Sequence, residues 1–91
     1  MGPVGFTLAG LHPNPARKDL TIAFSLPNAS PARLEVLDIA GRRIVAREVG
    51  EVGPGNHVLN LADDRPLAPG VYLLRLTQGG RFLTARAVIV R

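Results

Sequence analysis

The sequence predicts an all-β fold, an antiparallel sandwich of six or seven strands. Apolar stretches of strand length recur every 10–15 residues, and no segment shows a helical apolar period over eleven or more residues. Ten glycines and eight prolines are spread along the 91 residues and separate these stretches with turns. The chain is long enough for one core and too short for two, so we expect a single domain.

The first clear strand covers residues 19–26. Its alternate residues are apolar and define a buried face: Leu20, Ile22, Phe24 and Leu26. Upstream, Phe6 and Leu8 are separated by one polar residue and indicate a further edge strand. We therefore divide the chain into residues 1–10, a linker or edge strand, and residues 11–91, the sandwich.

A hairpin is predicted from residues 33–39 and 42–49. Its turn contains Asp38, whose side chain can bond to backbone, and Gly41, which accepts a positive φ. Apolar residues occur on both faces of the first strand of this hairpin: Leu34 and Val36 on one face, Leu37 and Ile39 on the other. Either both faces are covered there, or a β-bulge shifts the phase before the turn.

Three more strands complete the predicted sandwich. Residues 56–61 alternate, residues 71–77 form the most apolar strand, and residues 81–91 form the last strand. Gly79 and Gly80 connect the last two strands as a tight hairpin. The predicted core contains the apolar residues of the inner faces: Leu20, Ile22, Phe24, Leu34, Val36, Tyr72, Leu74, Leu76 and part of 88–90.

Charge and composition limit the possible partners. The net charge of +4 and the isoelectric point near 11.1 come from eleven basic residues against seven acidic ones. The arginines are scattered singly and the chain has only four aromatic residues, so the basic groove and stacking platform of a nucleic-acid site are not expected. No apolar run approaches the roughly 18 residues of a membrane helix, and the start of the chain lacks the features of a signal peptide. If the protein is exported, we expect this chain to be a fragment of a larger one.

Catalytic and metal-binding chemistry are not expected either. The chain has no cysteine, neither Ser25 nor Ser30 lies in a nucleophile elbow, and a lone His57 cannot make a ligand set. Asp63 and Asp64 are adjacent acids whose spacing fits no calcium loop, so a turn that caps the backbone is favoured over a calcium site. The sequence therefore predicts no enzyme activity, no cofactor and no metal.

Five short motifs follow one another along the chain: Pro13-Asn14-Pro15 before the first clear strand, LEVLDIAGRR at 34–43, GPGNH at 53–57, LAPGVYLLR at 67–75 and RAVIVR at 86–91. In this order and spacing they resemble the C-terminal sorting domain of the type IX secretion system (type A, the Por secretion system), which is appended to exported proteins of Bacteroidetes. The second and fourth motifs are also similar to the immunoglobulin-like domain of flagellar hook-capping proteins. The position of the domain in its polypeptide distinguishes the two families. A sorting domain lies at the C-terminal end, and we expect Arg91 to be such an end.

The resemblance to sorting domains implies an immunoglobulin-like sandwich that acts as a secretion address on an exported cell-surface or extracellular protein. In that family, outer-membrane secretion machinery recognises the domain, a surface sortase removes it, and the cargo is attached to anionic lipopolysaccharide or released. The family's recognition elements include the terminal strand and the glycine-bearing motifs. Transferred to this sequence, they are Asp38, Gly41, Gly70, Tyr72, Gly79, Gly80, Arg86, Val88, Val90 and Arg91. Arg86 stands where the family commonly has Lys.

The start of the strand at 71–77 is expected to contain a local anchor. Pro69 and Gly70 should direct Tyr72 onto the apolar face with its hydroxyl near backbone, as in the tyrosine corner of immunoglobulin-like sandwiches. The alternatives are an accessory sandwich of a polysaccharide hydrolase that binds glycan itself, and a structural assembly module of the hook-cap type. Low aromatic content and the lack of an apolar surface stripe predict a monomer.

Overall fold

A computed structural model describes residues 5–11, 21–60 and 67–90 of the chain. These residues form seven strands: β1 (Thr7–Leu11), β2 (Thr21–Leu26), β3 (Ala32–Leu37), β4 (Arg43–Glu48), β5 (Gly55–Asn60), β6 (Gly70–Gln78) and β7 (Arg81–Ile89). Gly50–Val52 forms a short 3₁₀ turn between β4 and β5. The strands make two antiparallel sheets, one ordered β1-β2-β5 and the other β4-β3-β6-β7. The predicted all-β, immunoglobulin-like sandwich is confirmed.

The core contains residues of both sheets. It is built from the alternate apolar residues of the strands and a few residues beside them: Ile22, Phe24, Leu26, Ala32, Leu34, Val36, Val49, Leu74, Leu76, Ala87 and Ile89. Most of the predicted core is confirmed, whereas Leu20 lies outside the described residues. Tyr72 is only partly buried and packs against this cluster. Of residues 88–90, Ile89 is the buried one, because its register with Gly70 points it inward.

The end of β3 differs from the prediction. The strand stops at Leu37 and not at residue 39, and Ile39 lies in the following turn with 87% of its surface exposed. The pairing with β4 shifts between Val36 and Leu37, so the β-bulge is present. Leu37 is nevertheless buried on the outer face, where its register partner is Leu73 of β6. The β-bulge is therefore present, and the outer face is covered at Leu37 but not at Ile39.

The strand β1 lies at the edge of the three-stranded sheet and approaches β7 of the other sheet. A Cβ atom on Gly10 would lie 3.6 Å from Cβ of Ala85, and the Arg81 guanidinium lies 5.0 Å from the centre of the Phe6 ring. β1 extends across the boundary that we predicted between residues 10 and 11. The division into a linker or edge strand and a sandwich stays a prediction.

Two buried polar side chains tie connecting segments to the sheets. Ser25 Oγ donates a hydrogen bond of 2.6 Å to the carbonyl of Gly5. Gln78 Nε2 donates to the carbonyls of Asn28 at 3.2 Å and Ser30 at 2.9 Å. These bonds satisfy buried donors and fix the loop after β2 against the end of β6.

Candidate functional site

Ser25 and His57 make structural hydrogen bonds. Ser25 is buried within β2, and Ser30 lies exposed in a loop. His57 Nε2 donates to the carbonyl of Gly53 at 2.7 Å. Among the described residues, no three His, Cys, Asp or Glu side chains lie together in a way that could hold a metal. Asp63 and Asp64 lie outside the described residues.

The turn between β3 and β4 is held by the carboxylate of Asp38. Its Oδ1 accepts from the backbone N–H groups of Ala40 and Arg42, each at 2.9 Å, and its Oδ2 accepts from Arg42 Nε at 3.0 Å. The backbone hydrogen bond from Arg42 is the main reason that the pKa of Asp38 lies below its usual range, since it outweighs the opposing effect of desolvation. Gly41 adopts a φ of 85°, which favours glycine. The predicted turn is therefore confirmed and well anchored.

The start of β6 contains a second local anchor. Tyr72 OH donates a hydrogen bond of 2.6 Å to the carbonyl of Ala68, four residues upstream. This contact matches the expected tyrosine corner. It fixes the segment that leads into β6 beside the partly buried ring.

The far end of β7 lies next to this segment. Arg86 and Val88 are on the outer face of the four-stranded sheet, where their register partners are Leu73 and Val71 of β6. Val90 follows the strand and is half-buried. Arg91 lies outside the described residues.

Antiparallel pairing gathers most of the predicted recognition residues at one end of this sheet. The end of β3 lies beside the start of β6, which in turn lies beside the end of β7. Seven of the ten therefore share one end: Asp38, Gly41, Gly70, Tyr72, Arg86, Val88 and Val90. Gly79 and Gly80 form the turn at the opposite end of the nine-residue β6, about 26 Å away at roughly 3.3 Å per residue. The structure thus separates these two glycines from the other seven.

Three exposed apolar side chains at the same end were not singled out from the sequence. They are Ile39 in the turn and Val71 and Leu73 on the outer face of β6. Together with Arg86 and Val88 we call them the end surface. The alternation of β6 already places Val71 and Leu73 opposite the core, and this signal could have identified them.

Comparison with known proteins decides the family. The family described as the secretion system C-terminal sorting domain has a sequence model that matches residues 10–91, which is most of the chain. The chain belongs to this family. No curated protein and no solved structure gives a significant match. The family match supports the resemblance to type IX sorting domains and gives no support to the resemblance to hook-capping proteins.

Membership establishes the general role of this sorting domain. It is a non-catalytic sorting signal for type IX secretion on an exported protein, and the type IX secretion machinery recognises it. Within the described residues, no helix is long and apolar enough to span a membrane. The match covers residues 10–91 and assigns no role to single residues.

The sorting domain also has an ion cluster that sequence analysis missed. Glu35 of β3 is 5% exposed although it is on the outer face. Arg75 of β6 places Nε and Nη2 3.1 Å from Glu35 Oε1, and Arg43 Nη1 of β4 lies 3.3 Å from Oε2. Burial raises the pKa of Glu35, but the hydrogen bonds and charges of Arg75 and Arg43 outweigh it and leave the pKa below its ordinary value. Arg75 is forty residues from Glu35 along the chain, so only the strand pairing reveals this cluster.

Proposed function

We propose that the type IX secretion machinery recognises this sorting domain through the end surface. The observation that carries the proposal is the convergence of three separate segments, 38–41, 70–73 and 86–90, at one end of the four-stranded sheet. These segments contain seven of the ten residues expected from the family resemblance. Recognition then depends on the folded domain, because folding brings the segments together.

The chemistry of the end surface suits a protein partner. Ile39, Val71 and Leu73 are exposed apolar side chains, and the register places Arg86 beside Leu73. Exposed apolar side chains grouped on one patch are typical of interaction sites, and arginine is enriched in the core of protein interfaces. Burial of this group against a receptor would supply the hydrophobic part of the binding free energy.

The further fate of the cargo follows from the family resemblance. We propose that residues 11–91 act as a monomeric sorting unit that a surface sortase removes after export. The cargo is then attached to the cell surface through anionic lipopolysaccharide or released. Sedimentation of the isolated domain as a stable dimer would contradict the monomer.

An export assay tests the role of the end surface. Residues 1–91 are placed behind a signal peptide and a fluorescent reporter in a bacterium with a type IX system. Leu73→Asp puts a charge into the end surface at a side chain that is 41% exposed, so the fold should be kept. The matched control is Val58→Asp on β5 of the other sheet, where the side chain is 69% exposed. We expect export of wild type and control and periplasmic retention of Leu73→Asp, with circular dichroism showing that both variants are folded.

The outcomes separate the sorting function from the proposed surface. Removal of residues 87–91 would also remove Ala87 and Ile89 from the core, so a loss of export after this deletion could result from unfolding alone. The point variants avoid this problem. Export of Leu73→Asp at the wild-type level would overturn the end surface, whereas retention of wild type would show that residues 1–91 are not a sufficient signal.

A further inference from the structure

The outer face of the four-stranded sheet also has an open depression toward the opposite end. Its volume is about 730 Å³, and its lining includes Arg33, Glu35, Arg43, Arg75, Thr77 and Phe82. These residues come from four neighbouring strands. The depression contains no residue of the end surface and has no part in the proposed recognition by the secretion machinery.

Positive charge is in excess in this depression. Three arginines face two glutamates, because Arg43 and Arg75 share Glu35 while Arg33 pairs with Glu48 at 3.0 Å. Arg43 and Arg75 remain partly exposed, and the contacts with Glu35 use only some of the five N–H donors that each guanidinium has. The buried carboxylate thus holds two guanidinium groups in place with donor capacity for a further anion.

An exposed aromatic ring lies beside these cations. Phe82 of β7 is 64% exposed and is the register partner of Thr77, while Arg75 is the next outward residue along β6. Diagonal neighbours on paired strands lie about 7–8 Å apart, which is within the reach of one sugar ring with its substituents. Such a ring could stack on Phe82 and direct a carboxylate at Arg75.

We propose that this depression binds an acidic polysaccharide, with a sugar ring on Phe82 and its carboxylate on Arg75 and Arg43. Hydroxyl donors favour a sugar over an acidic peptide. The hydroxyl groups of a uronic acid polymer can donate hydrogen bonds to the exposed Glu48, whereas the ionised side chains of an acidic peptide have no donor. The binding site is independent of the sorting function and adds a second activity to the domain.

Calorimetric titration of residues 1–91 with polygalacturonate, a polymer of uronic acid, tests the proposal. We expect binding that weakens with salt, and binding of neutral dextran that is at least about tenfold weaker. Phe82→Ala should weaken polygalacturonate binding about tenfold through loss of stacking, while Val58→Ala, an exposed apolar truncation on the other sheet, should not. Arg43→Gln should weaken binding more than Arg42→Gln, which removes the same charge outside the depression, and equal effects would contradict the placement of the carboxylate.

Three results would overturn the proposal. The first is wild-type affinity of Phe82→Ala for polygalacturonate, which would exclude the aromatic contact. The second is equal affinity for dextran, which would exclude the role of charge. The third is equal affinity for polyglutamate, which would show attraction of any polyanion and no sugar site. All variants change exposed side chains, so we expect each one to fold. A thermal melt checks this expectation.

Discussion

Substitution of Gly50 by Ala should destabilise the domain although it adds a single methyl group. Gly50 is buried and packs against the loop that leads into β3. A Cβ atom at this position would lie 2.7 Å from the carbonyl oxygen of Ser30 and 2.8 Å from both Cα of Pro31 and the nitrogen of Ala32. All three are backbone atoms, so no side-chain rotation can relieve the overlap and the loop or the 3₁₀ turn must shift.

The expected loss of stability in Gly50→Ala can be calculated from the free-energy cost of overpacking. Extra volume in a tightly packed site costs about 1–3 kcal/mol. The shift would also strain the neighbouring hydrogen bond of 2.9 Å from Val49 N–H to the Ala32 carbonyl. In a domain of this size, 1 kcal/mol corresponds to about 4–8 °C in Tm. We therefore expect Tm to fall by about 4 °C at the low end of these ranges and by about 24 °C at the high end.

Urea unfolding and thermal melts followed by circular dichroism measure the effect. Gly80→Ala is the matched control, because a Cβ atom on Gly80 has no neighbour within 4 Å and Gly80 is not among the glycines with positive φ. We expect the control to change the free energy of unfolding by less than about 0.5 kcal/mol. If Gly50→Ala and Gly80→Ala have the same stability, the close approach at Gly50 is not a packing constraint and the reasoning fails.

Two further substitutions test the polar contacts. Glu35→Gln should lower the free energy of unfolding at neutral pH by about 1–2 kcal/mol, because Arg43 and Arg75 lose their shared counter-charge. Since the folded-state pKa of Glu35 is depressed, its carboxylate stabilises the fold above the ordinary pKa of 4.5 and loses this effect as the pH falls through the folded-state value. The difference between wild type and variant in urea unfolding should therefore narrow from about pH 6 to about pH 3, and a constant difference would contradict the assignment. Tyr72→Phe removes the bond to Ala68 and should cost about 0.5–1.5 kcal/mol in the same assay, whereas an unchanged midpoint would show that water replaces the contact.

Local patterns predicted most of the individual elements. Ile22, Phe24 and Leu26 alternate with a period of two, and a strand with one buried face needs no other information. The turn residues Asp38 and Gly41 could be assigned because their short-range chemistry fixes the hairpin. The sequence pattern extends β3 to Ile39, whereas the strand ends at Leu37, because an apolar residue next to a turn does not by itself mark the end of a strand.

The arrangement of the site could not be predicted in the same way. The pairing of β3 with β6 joins segments about forty residues apart, and no local signal encodes it. This pairing places the turn at 38–41 beside Tyr72 and brings Glu35 next to Arg75. The separation of Gly79 from the end surface has the same origin, because it depends on the direction of β6 within the sheet.

Gly50 and Leu73 lie at opposite ends of the four-stranded sheet, so substitutions at these two residues can distinguish two forms of recognition. Gly50 lies near the paired residues Ala32 and Gln78, at the end of the sheet away from Leu73. If the machinery binds the folded end surface, Gly50→Ala should lower export in proportion to the fraction of unfolded domain. Export of this variant should then recover at low temperature. Leu73→Asp blocks export at any temperature, because it changes the surface without unfolding it. If the machinery instead binds only the terminal residues as a linear segment, both variants should be exported like wild type. The two variants therefore distinguish recognition of the folded domain from recognition of a linear sequence.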